Sequence, residues 1–165
     1  HGRALGQPLS LEPGPFEPFH ARSPLDNQQP DIGPAAKQLF GDASQNEHAF
    51  VLLSNPRKVP GHLLVIPKRH IEELWKLTHE ELTDIFDLIY DVEQKIIGKL
   101  GDGCDIRQNY RPFKEQSKLK VNHVHFHVIP RYNEDYLYRV SEQFETDLFA
   151  DLDPSEAREV AKLLK

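Results

Sequence analysis

The sequence predicts an α+β domain built on an antiparallel sheet. Three observations point there. Short apolar runs come in close pairs, one long amphipathic stretch separates the pairs, and proline and glycine mark the joins. Parallel neighbours would need crossovers of a dozen or more residues, which the short links within each pair do not supply.

Residues 48–54, His-Ala-Phe-Val-Leu-Leu-Ser, form the first apolar run and read as a strand. Asn55-Pro56 supplies a turn and Pro60-Gly61 a second break, after which residues 62–67 form another strand ended by Pro67. The two make an antiparallel hairpin with a medium loop. A helix follows from Thr78, where Thr78-His-Glu-Glu81 is a capping box. Behind it Leu82, Ile85, Phe86, Ile89, Val92, Ile96 and Leu100 recur at three- and four-residue spacing. That is one apolar stripe, laid against a face of the sheet. Gly98 weakens the last turn and Gly101-Asp102-Gly103 ends it. A third strand is expected over 104–109 and a fourth over 119–129, joined by a basic loop around Pro112. A final helix runs from about Ser155, capped by Asp153 or Ser155 with Pro154 at its start; Lys162 and Lys165 suit its C-terminal end.

Residues 1–34 hold seven of the thirteen prolines and no strand or helix period, so they read as an extended arm ahead of a folded unit over 35–165. No internal repeat is visible.

Composition narrows the function classes. A net charge of −6 argues against non-specific binding to nucleic acid or to an anionic membrane. No run approaches the roughly 18 apolar residues of a membrane span. The first thirty residues lack a basic start and an apolar run, so no signal peptide is expected. With His1 first and no methionine, a processed chain is expected. Cys104 is the single cysteine, which excludes an internal disulfide and points to a reducing cytoplasm. Acidic residues crowd the end of the chain, from Glu134 to Glu159. Basic ones gather at Arg107, Arg111, Lys114, Lys118, Lys120 and Arg131. An acidic chain with a local basic patch suits a small anionic ligand.

The chemistry sits in His123-Val124-His125-Phe126-His127. On a strand, residues two apart share a face, so three imidazoles would line one side while Val124, Phe126 and Val128 pack on the other. Such a row can be merely surface histidines, a reading its regular placement disfavours, and two uses compete beyond that. One is a metal site with the histidines as ligands. The other is imidazole as nucleophile and proton donor toward a phosphate.

The run His123-Val-His-Phe-His-Val-Ile129, followed by Pro130-Arg131, resembles the signature of the histidine-triad (HIT) superfamily. Pro60-Gly61-His62-Leu-Leu-Val-Ile-Pro67 matches a second segment of that family, and the likeness covers about residues 45–132. It implies a HIT-like fold, an α+β arrangement of about five antiparallel strands with a long helix and a C-terminal helix, paired as a homodimer. It implies a small-molecule nucleotide as substrate, cleaved at the α-phosphate through a nucleotidyl-histidine. His125 is then the nucleophile, with His123, His127 and His62 as further catalytic residues. His127, where transferases of the superfamily carry glutamine, points to water as the acceptor. Substrates in the family include dinucleoside polyphosphates and nucleoside phosphoramidates; Pro130-Arg131 leans toward the Fhit-like branch and the polyphosphates. No obligatory cofactor is implied, and a divalent cation such as Mg2+ could bridge substrate phosphates. The cysteine-containing zinc motif of some Hint-like members is absent near Gln38–Phe40, so no structural zinc is expected. A nucleotide-binding module without turnover is the remaining alternative.

The sequence also departs from the family. Lys118-Leu119-Lys120 stands where many members have Gly-Gln-Ser or Gly-Gln-Thr, after a loop about three residues longer. Ser117, Lys118 and Lys120 are the candidates to contact phosphate instead. Gln108 and Asn109 are candidates on the preceding strand, and Asn55 in the hairpin loop is a candidate for the ribose. His48 and His70 are read as ordinary hydrogen-bonded histidines.

Overall fold

The computed structural model describes residues 45–115, 120–151 and 153–164. The proline-rich arm, the start of the expected folded unit at 35–44, and the candidates Ser117 and Lys118 lie outside them. The chain divides into two compact units, one ending at Tyr132 and one running from Asn133.

The first unit is an antiparallel sheet covered on one face by a helix. Its strands are β1 (Ala49–Leu53), β2 (Leu63–Pro67), β3 (Gly103–Gln108) and β4 (Phe126–Arg131), in the order β1-β2-β4-β3. Every pairing is antiparallel. The fifth strand of the family pattern is not among the described residues, which open with an isolated bridge between Gln45 and Phe50. Helix α1 (His79–Ile96) starts at the capping box read in the sequence. Glu81 N–H donates to Thr78 Oγ1 at 3.2 Å and Thr78 N–H to Glu81 Oε2 at 2.9 Å. Gly98, at φ +74, lies two residues past the helix end, where a left-handed residue suits glycine.

Register assigns each sheet residue a face, because directly opposed residues lie on the same side. Val51, Val65, Phe126 and Gln108 form one row across all four strands, and Leu52, Leu64, His127 and Arg107 form the next, on the opposite side. The first side meets α1: Ile85, Leu88, Ile89, Val92 and Ile96 pack with Val51, Leu63, Val65, Phe126 and Val128 in the core. Of the expected helix stripe, Phe86 is half exposed at the flank, meeting Phe126 edge-on, and Leu88 fills the buried position instead. The second side carries His127.

The fourth strand differs from expectation at both ends. It begins at Phe126 rather than 119, because residues 121–125 bond the loop after β2: Val124 N–H donates to Ile71 O at 2.6 Å. It also continues through Pro130 to Arg131, where a stop was expected. Pairing with β2 ends at Val128, so Pro130 has only β3 beside it and its missing N–H costs no ladder bond on the open side.

The second unit holds a π-helical turn (Tyr138–Glu142), a 3-10 turn (Glu145–Leu148) and helix α2 (Pro154–Leu163). Asp153 is the cap, accepting Ser155 N–H at 2.6 Å, with Pro154 in the first turn. No residue of α2 is buried. Among the described residues no helix is long and apolar enough to cross a membrane.

Candidate active site

His123, His125 and His127 do not sit on one regular strand. Only His127 does; the other two lie in the irregular stretch just before it. What positions them is a set of hydrogen bonds to backbone groups of fixed polarity, and these determine where each imidazole carries its proton.

His123 is buried, and both its ring nitrogens are committed. Pro67 O can only accept, so His123 Nε2–H donates to it, at 3.0 Å. Nδ1 lies 3.1 Å from both Ile71 N–H and Ile71 O; with the proton on Nε2, the neutral ring accepts from Ile71 N–H there, and Ile71 O is the partner for a protonated Nδ1. Burial pushes the His123 imidazolium below its usual range, against the carbonyl oxygens of Pro67 and Ile71, which favour it. His70 stacks on this ring at 5.0 Å and bonds Asn122 O at 2.9 Å. The loop is itself anchored: Arg69 clamps buried Glu81 through Nε and an Nη, each at 2.7 Å, which ties it to the start of α1.

His125 uses that anchored backbone. Its Nδ1–H donates to His123 O at 2.7 Å, which leaves the lone pair on Nε2. A neutral imidazole in this tautomer is a nucleophile.

His127 has the opposite polarity. Lys58 N–H donates to His62 Nδ1 at 3.1 Å, so neutral His62 carries its proton on Nε2. His62 Nε2–H donates to His127 Nδ1 at 2.9 Å, which places the His127 proton on Nε2. Burial keeps both neutral. His62 is pushed down to about 4 by burial, then by Lys58 and His125. His127 is pushed down to about 3 by burial, then by His125, His62, Lys58 and Arg107. The His125 and His127 rings meet edge-on at 4.9 Å. The pair thus sets a lone pair beside an N–H.

The other sequence candidates are placed unevenly. Gln108 opposes Phe126, so it lies on the α1 side and away from His127. Asn109, one residue past β3, continues the parity of Arg107, but it is exposed and accepts from Arg111 at 3.4 Å. Lys120 Nζ donates to Lys114 O, which closes the basic loop on itself. Asn55 is exposed in the hairpin loop that leads to His62. His48 bonds Asp84 at 2.8 Å, as an ordinary paired histidine does. The residues sequence reasoning missed are mostly backbone groups: Lys58 N–H, Pro67 O and Ile71 N–H. Arg107, read in the sequence only as part of the basic patch, is set opposite His127 by the β3–β4 register.

Among the described residues no group of three or more His, Cys, Asp or Glu side chains is arranged to hold a metal ion. The bonding pattern gives the reason, since His123 and His62 spend their nitrogens inside the protein.

The HIT domain family model matches residues 43–134, over half of the chain, and the chain belongs to that family. Two curated relatives are from Schizosaccharomyces pombe. The adenosine 5'-monophosphoramidase is 38% identical over 46% of this chain and 53% of its own length. The asymmetrical bis(5'-nucleosyl)-tetraphosphatase is 39% identical over 47% of this chain and 42% of its own. The chain thus spans about half the length of these relatives. A solved HIT family protein from Bacillus anthracis superposes with a TM-score of 0.54 at 24% identity, covering 81% of this chain and 95% of that one, which shows the fold.

Proposed function

We propose that the protein is a nucleotide hydrolase that cleaves at the α-phosphate through a nucleotidyl intermediate on His125. The observation that carries this is the opposed tautomers of His125 and His127. His125 Nε2 attacks the α-phosphorus as the bond to the leaving group breaks. His127 Nε2–H donates a hydrogen bond to the departing atom, which leaves with the electron pair of the broken bond; a nitrogen leaving group takes its proton from solvent. Water then displaces His125 from phosphorus and gives up its proton to solvent. Leu52 and Leu64, on the face of His127, offer apolar surface for a nucleobase. The names of the two yeast relatives support both a phosphoramidate and a polyphosphate as substrate. His123 acts here as a positioning residue, since its ring is spent on Pro67 and Ile71.

The test is a panel of adenylated compounds assayed for AMP release. Turnover of at least one, lost in His125→Ala, is expected; no turnover across the panel would overturn the reading. Stoichiometric zinc that disappears in His125→Ala would favour the metal site instead.

We also propose that two copies pair along β3. It is an edge strand of the described sheet, and Phe86 and Tyr90 on α1 and Ile106 on β3 leave apolar surface exposed. Light scattering should show a dimer that Ile106→Glu dissociates.

A further inference from the structure

Arg107 lies at the end of the row Leu52, Leu64, His127, directly across the β3–β4 pair from the histidine that keeps an N–H on Nε2. Opposed side chains of such a pair start about 4.5–5.5 Å apart at Cβ. Its guanidinium is held in place: one Nη donates to Asp105 Oδ2 at 2.6 Å, and Arg131 donates to the same oxygen. Asp105, Arg107 and Arg131 have the parity of His127 in the register, so all belong to its face. Among the described residues, two guanidiniums share this one carboxylate.

We propose that Arg107 is a specificity-determining residue that holds the charge of an anionic leaving group, so that the favoured substrate is a dinucleoside polyphosphate. This rests on the function proposed above. In the reaction, His125 Nε2 bonds to the α-phosphorus and the bond from that phosphorus to the bridging oxygen breaks. The oxygen departs with the electron pair, as an anion that accepts a hydrogen bond from His127 Nε2–H. The leaving group is a phosphate chain that carries this charge together with its own. A phosphoramidate departs instead as ammonia, which carries no such charge. A planar guanidinium beside the hydrogen-bond donor therefore helps only the first substrate. Arg107 is the last and smallest of the influences that hold His127 neutral, after burial, His125, His62 and Lys58.

The experiment compares diadenosine tetraphosphate with adenosine 5'-phosphoramidate in wild type, Arg107→Gln and Arg107→Lys. Arg107→Gln should lower kcat/KM for the tetraphosphate about 10-fold or more and change the phosphoramidate less than about 3-fold. Arg107→Lys should recover most of the loss, because it keeps the charge. Retained phosphoramidate turnover doubles as the check on folding. Equal losses on both substrates, or no loss on either, overturn the assignment. Wild type that cleaves only the phosphoramidate overturns it while the proposed function stands. Wild type that cleaves neither overturns both.

Discussion

The stretch 121–125 and strand β4 divide the histidine cluster between them, and they hold their histidines by different means. In the first, His123 and His125 are fixed by carbonyl and amide groups of neighbouring backbone. In the second, the ladder fixes His127 and a second imidazole, His62, faces its ring nitrogen. Identical side chains therefore receive opposite chemistry. A carbonyl partner on Nδ1 makes a nucleophile; an N–H partner on Nδ1 makes a donor.

The largest effect should come from breaking the first half. His125→Ala should lower kcat on the order of 10^4-fold or more in steady-state assays, since nothing else offers the lone pair. Removing the donor in the second half should cost less. His127→Asn should lower kcat about 10- to 10^3-fold, and a nitrophenyl leaving group, which needs no hydrogen bond to depart, should recover most of it. Failure of that substrate to recover the rate would contradict the donor role. His62→Phe removes only the group that sets the His127 tautomer. A loss of about 10-fold is expected, the worth of one hydrogen bond, read as a change in kcat rather than in KM.

Much of this was legible in the sequence, for physical reasons that differ from residue to residue. The capping box at Thr78 and the period behind it are local, so α1 emerged with its start in place. Motif resemblance named His62, His125 and His127 together, and the structure brings their rings side by side, with a carbonyl partner on His125 Nδ1 at His123 O. The role of His123 was not legible. Alternation assumed a strand, whereas Val124 bonds Ile71 across the loop after β2, a contact far apart in sequence. Gln108 and Arg107 could not be separated without the β3–β4 register, which the lengthened basic loop hides. The two helices teach the same lesson. Both have caps and apolar stripes, yet α1 buries its face and α2 buries nothing, because burial depends on a partner that periodicity does not name.

Two smaller effects concern stability. His123→Ala should destabilise the fold by about 1–3 kcal/mol in urea unfolding, because it strands Pro67 O and Ile71 N–H. The acid response should be gradual. His62 and His127 stay neutral in the fold down to about 4 and about 3, from an ordinary value of 6.5. Below pH 6.5 the unfolded chain binds protons that the fold refuses, so stability falls as pH drops toward 4. His62→Phe should flatten that slope in thermal melts; an unchanged slope would contradict the buried neutral pair.

The central claim is that His125 becomes covalently nucleotidylated, and a rapid alkaline quench followed by peptide mass spectrometry tests it most directly. During turnover of an adenylated substrate, the peptide containing His125 should gain the mass of one adenylyl group, and it should not do so in His125→Ala. Turnover with no adduct, or with the adduct on another residue, would contradict the account.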